Sequence, residues 1–131
     1  MMVGLNDLAR SLGLKHPLQL AVSPILGEIG HAARKVGVAW GFGGVAAPYP
    51  RPDLPIQPDD LLSRYATTGA TAAWISRSMM NAIEPDQLAE HVDALRGRLS
   101  YWRSASTDAL AAAEERLERQ IARMIKDMGH D

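Results

Sequence analysis

Glu28 and His31 stand three residues apart, the spacing by which carboxylate-bridged di-metal bundles present an acid and an imidazole on one helix face. Such a centre needs a second Glu-x-x-His and two further carboxylates. The only comparable spacing, Asp127 to His130, falls at the end of the sequence, so no metal site is expected. His16, His31, His91 and His130 also lack zinc-ligand spacing. The chain has no cysteine, which removes a thiolate centre and a thiol nucleophile. Gly41-Phe42-Gly43-Gly44 matches neither a phosphate loop nor a dinucleotide fingerprint, and no G-x-S-x-G occurs. No catalytic, cofactor-binding or metal-binding residue is assigned, and the chain reads as non-enzymatic.

Composition narrows the remaining classes. At 131 residues and 47% hydrophobic content, the chain can bury a core as one domain. Its net charge of −1 gives no general attraction to nucleic acid or acidic membranes. No start of secretory type and no run of 18 apolar residues is present, so the expected location is cytoplasmic or within an assembled particle.

The elements that could position any site fall into three parts. Residues 1–47 read as an N-terminal arm with short helices. Asn6 is the expected N-cap of one ending at Gly13. Ser23-Pro24 starts a second, with Ile25, Ile29, Ala32 and Val36 as its apolar face and Gly37 as its stop. Glycines inside this helix point to a close backbone approach. Gly41–Ala47 reads as the run into a Pro-rich strap at 48–58, whose five prolines favour extended backbone and forbid a central strand. Tyr49, Leu54 and Ile56 are the strap residues apolar enough to pack.

The third part, 59–131, reads as an antiparallel helical hairpin extended by a C-terminal amphipathic helix. Asp59 or Asp60 caps a first helix whose seam is Leu61, Tyr65, Thr68, Ala72, Ile75, Met79 and Ala82. Glu84-Pro85-Asp86 is a turn and restart. Leu88, Val92, Leu95, Leu99 and Trp102 then form a stripe that resumes after Ser104–Asp108, and both a continuous and a broken helix fit that interval. The expected class is all-α, more than half helical, with no substantial sheet. Unbroken, the helix from 86 to 128 would run about 65 Å, against roughly 36 Å for a compact domain of this size.

That mismatch directs the functional reading outward. Leu110, Leu117, Ile121, Met124 and Met128 are the expected protein interface of a coiled-coil type, because a hairpin alone leaves little apolar surface to cover them. Aspartates at Leu117 and Ile121 would then dissociate the assembly. The expected function is a structural or adaptor subunit of a homo-oligomer or larger assembly, partnered by itself and other proteins and needing no cofactor. Small helical proteins of phage particles and injection machines share this outline by analogy of shape only.

Two alternatives belong to other classes. Asp7-Leu8-Ala9-Arg10-Ser11-Leu12-Gly13-Leu14 resembles the first helix and turn of the helix-turn-helix DNA-binding family, which would place a degenerate DNA-binding unit at 7–24. The departure follows at once, since Pro17 and Pro24 fall where a recognition helix should run. The Gly- and Ala-rich stretch 24–47, with Trp40 and Phe42, could instead lie at a membrane interface, though its apolar payload and positive charge are small. Neither nucleic acid nor membrane is the expected partner.

Overall fold

The computed structural model describes residues 1–45, 49, 52–76, 80, 81 and 83–129. The chain is mostly helical and also carries a small three-stranded parallel sheet, which the all-α expectation did not contain. In chain order the elements are β1 (Met2–Val3), α1 (Leu5–Ser11), a 3₁₀ turn (Pro17–Val22), α2 (Pro24–Val36), β2 (Gly41–Val45), α3 (Pro58–Thr68), β3 (Ala72–Ile75), a short 3₁₀ turn (Pro85–Gln87), α4 (Leu88–Arg103) and α5 (Thr107–Met128). The strands lie in the order β1-β2-β3, every pair parallel. The register sets Val3 beside Phe42 and Phe42 beside Ala73, with an irregularity before Val45 meets Ile75.

Gly41–Val45, expected as the run into the strap, is thus the central strand. The prolines that argued against a strand begin only at Pro48. Its glycines disguise it, and packing explains them. A Cβ on Gly41 would collide with the Ala72 carbonyl, and one on Gly43 would stand 3.4 Å from Cε3 of Trp74. Between them Phe42 is fully buried and stacks on Tyr65 at 4.1 Å between centroids, while the Tyr65 hydroxyl donates to the Phe42 carbonyl at 2.6 Å. Leu5, Leu20, Leu26, Trp40, Leu62, Leu95 and Trp102 join the same core. The expected arm therefore contributes much of the interior.

The helix expected over 59–83 stops at Thr68, because Gly69 adopts φ 76° and closes α3 in the left-handed region. Ala72 and Ile75, placed on a helical seam, lie in β3 instead; Met79 and Ala82 fall outside the described residues. Ser23 and Gly37 do bound α2 as expected, the Ser23 hydroxyl accepting from the Ile25 amide. Its buried face is Leu26, Gly30 and Ala33, and Ala32 and Val36 are exposed. Ile25 and Ile29 of the expected face are half-buried, and the small residues let α2 sit close: a Cβ on Gly30 would strike the Thr68 carbonyl. Gly4, not Asn6, is the N-cap of α1, with Gly13 at φ 70° beyond its end.

Glu84-Pro85 restarts the chain as expected, and the long stripe breaks. The Ser106 side chain accepts from the Ala109 amide at 3.1 Å, capping α5. Both α4 and α5 then pack on α3. Two adjacent acids hold them there. Asp59 accepts from both Nε and Nη2 of Arg98 at 2.8 Å and from the Trp102 indole at 3.2 Å, whereas Asp60 accepts from Arg116 at 3.0 Å and Gln120 at 2.9 Å.

The residues expected at a protein interface divide between the interior and the surface of the chain. Leu117, Ile121 and Met124 are buried within the chain, in a cluster with Ala21, Ile56 and Leu61. Leu110 packs half-buried against the main core, and Met128 remains exposed. The cover for these residues comes from the 3₁₀ turn and the strap. Of the strap residues expected to pack, Ile56 is buried, Leu54 is half-buried, and Tyr49 is exposed with its ring edge-on to His91.

Candidate functional site

Parallel strands all end on one edge of their sheet, and ligands of open α/β sheets bind in the crevice beyond those carboxyl ends. In this chain a cleft of about 440 Å³ lies there. Its walls come from the first turn of α1 (Asn6, Asp7), the start of the 3₁₀ turn (Pro17), the middle of β2 (Gly43) and the end of β3 with the residue after it (Trp74, Ser76). Four elements distant in sequence thus converge on one crevice.

Each wall has a local cause. Gly4 ends β1 in an extended conformation (φ −80°, ψ 106°) and starts α1, which brings Asn6 and Asp7 to the edge within one turn. The Asp7 carboxylate lies over this start, with Oδ2 3.5 Å from where a Cβ at Gly4 would stand. Trp74 projects from β3 across Gly43 and remains 53% exposed, whereas Trp40 and Trp102 are buried at 2% and 3%. Trp74 is thus the exposed tryptophan of the three, on the exposed outer strand of the sheet.

The third wall depends on His16. Its Nδ1 accepts from the Leu18 amide at 3.1 Å, and the Gln19 side chain accepts from the His16 amide at 3.0 Å, so the two form a reciprocal cap on the 3₁₀ turn. Partial burial holds the imidazole below its ordinary pKa. Nδ1 must be unprotonated to accept, so the neutral ring fixes Pro17 and Leu18 in place.

Among the described lining residues Asp7 is the ionisable side chain, and none is Lys or Arg. The Asn6 amide and Ser76 hydroxyl add hydrogen-bonding capacity. Carboxylate, amide and exposed indole together can hold a cation or a dense array of donors, and they disfavour an anion.

A wider groove of about 570 Å³ runs between α5 and the 3₁₀ turn, lined mainly by Leu14, Val22, Ile121 and Ile125. It is the incompletely covered flank of the α5 stripe and brings together less polar chemistry.

The sequence-expected interface residues do not meet at the cleft; Leu117, Ile121 and Met124 are interior, as above. Glu28 and His31 are exposed on α2. Residues 7–24, the stretch with helix-turn-helix resemblance, form most of α1, the 3₁₀ turn and the start of α2. Trp40 and Phe42, the aromatics of the membrane reading, are in the core. Among the described residues no helix is long and apolar enough to cross a membrane. Sequence reasoning missed Trp74 as a site residue by placing it on a helix; the signal was Gly69, which ends that helix. Comparison of the chain with protein-family models, curated proteins and solved structures gives no match.

Proposed function

We propose that the chain is a non-enzymatic binding module that takes a small cationic ligand, an ammonium compound, in the carboxyl-edge cleft. The observation that carries this reading is the convergence of Asp7 and the half-exposed Trp74 on one crevice whose described lining residues include no basic side chain. An ammonium group over an indole face gains about 0.5–2 kcal/mol, depending on desolvation, and a carboxylate in the same cleft adds direction. The test is a titration with tetramethylammonium followed by tryptophan emission, to which Trp74 contributes the solvent-exposed component. Saturable quenching that disappears in Trp74→Phe or weakens about tenfold in Asp7→Asn supports the reading. Equal binding of an uncharged isostere, or quenching unchanged in Trp74→Phe, refutes it.

A second reading keeps the chain as an adaptor or structural subunit of a homo-oligomer or larger assembly, of the phage-particle kind by shape. It now draws on β3, whose Ala72, Ala73 and Trp74 are exposed on the outer strand of the sheet. Unpaired edges template pairing with another chain. Absolute mass by light scattering above one chain, reduced to one by Ala73→Lys, supports this reading. A wild-type monomer removes it.

A further inference from the structure

The outer face of α5 carries a different chemistry. Arg116, Arg119, Gln120 and Arg123 line a groove of about 180 Å³ that shares no residue with the carboxyl-edge cleft. Spacings of three and four place all four side chains on adjacent positions of one helical face. We propose that this groove binds the oxyanion of a small phosphorylated molecule, with Arg119 and Arg123 as its free guanidinium groups and Gln120 as its fixed floor.

The floor is built. The Gln120 amide donates to Asp60 Oδ2 at 2.9 Å, and its carbonyl oxygen accepts from the Gln57 amide at 2.8 Å. Arg116 is anchored on the same carboxylate through Oδ1 at 3.0 Å, and the Asp60 side chain is only 10% exposed. One carboxylate thus orients two members of the group and neutralises one charge. Arg119 and Arg123 have no ion pair or hydrogen bond among the described residues. Glu115 and Asp127 lie one helical turn to either side without closing on them. Like charges four residues apart disfavour a helix slightly, and a phosphoryl group answers both because guanidinium forks match its oxygens in bidentate pairs.

The test uses the full chain and titrates pyrophosphate by calorimetry at constant ionic strength, with inorganic phosphate as the smaller probe. Saturable one-to-one binding is expected, weakening about tenfold for Arg119→Gln or Arg123→Gln alone, the order of one charge-assisted hydrogen bond. Gln is a good helix former, and unchanged far-UV circular dichroism checks the variants. The wild-type Arg Nε–Hε resonances supply a readout that needs no variant: those of Arg119 and Arg123 should shift with pyrophosphate. Absence of saturable binding, affinity unchanged in the double variant, or shifts confined to other arginines overturns the proposal. So does duplex DNA binding with a salt slope spanning many phosphates and no competition by pyrophosphate.

Discussion

Asp59 and Asp60 are neighbours in sequence and serve different helices. Read from sequence they are cap residues for α3; in the structure Gln57 is the N-cap and the two carboxylates reach across to α4 and α5. Removing Asp60 leaves Gln120 and Arg116 without their shared acceptor. Because Arg116 is 43% exposed, its pairing contributes little after solvent screening, and the Gln120 bond near the buried carboxylate matters more. Asp60→Ala should cost about 1–3 kcal/mol, read as a lowered urea midpoint at unchanged slope. His16 gives a pH dependence of defined sign. Its pKa lies below the ordinary value of about 6.5, so unfolding takes up a proton between the folded value and 6.5. The stability it contributes is complete above about pH 6.5 and is lost as pH falls through the folded value. The wild type should lose more melting temperature between pH 7 and pH 5 than His16→Asn, which retains a side chain able to cap. Parallel slopes for the two would contradict the capping role.

At the scale of elements, packing overrides local pattern in two strands. β2 is read from sequence as a loop because Gly41, Gly43 and Gly44 carry no strand propensity; Gly41 and Gly43 are there because the Ala72 backbone and the Trp74 ring press against that strand. Gly41→Ala should therefore destabilise by about 1–3 kcal/mol, the cost of overpacking a filled site, measured by chemical denaturation. Ala72–Ile75 is hidden by the alanines around it, which continue a helical pattern past the left-handed Gly69. What is legible locally comes through: the Ser23-Pro24 cap, the stops at Gly13, Gly37 and the restart at Pro85 all depend on the chemistry of adjacent residues. The cleft depends on the sheet, and a parallel sheet joins residues dozens of positions apart, so the meeting of Asp7 with Trp74 leaves no periodic trace. The α5 stripe was equally legible as apolar, yet its cover lies in the 3₁₀ turn and the strap, segments whose own pattern does not say what they pack on.

For the molecule as a whole, α5 is a structural member of the chain's own core. Leu117 is fully buried and Ile121 is 4% exposed, so aspartates at both positions place charges in an apolar interior and should unfold the domain instead of merely separating subunits. Loss of the near-UV circular dichroism signal together with helicity is the expected result; persistence of a folded monomer would return the stripe to an intermolecular role. With Leu117, Ile121 and Met124 enclosed, the polar clusters described at the surface are the carboxyl-edge cleft and the arginine face of α5. Cation binding in the cleft is tested by amide chemical-shift mapping during a tetramethylammonium titration. Saturable shifts concentrated at Gly4–Asp7, Leu18, Gly43 and Trp74–Ser76 are expected. Shifts concentrated along Leu14, Val22 and Ile125, or none that saturate, would contradict it.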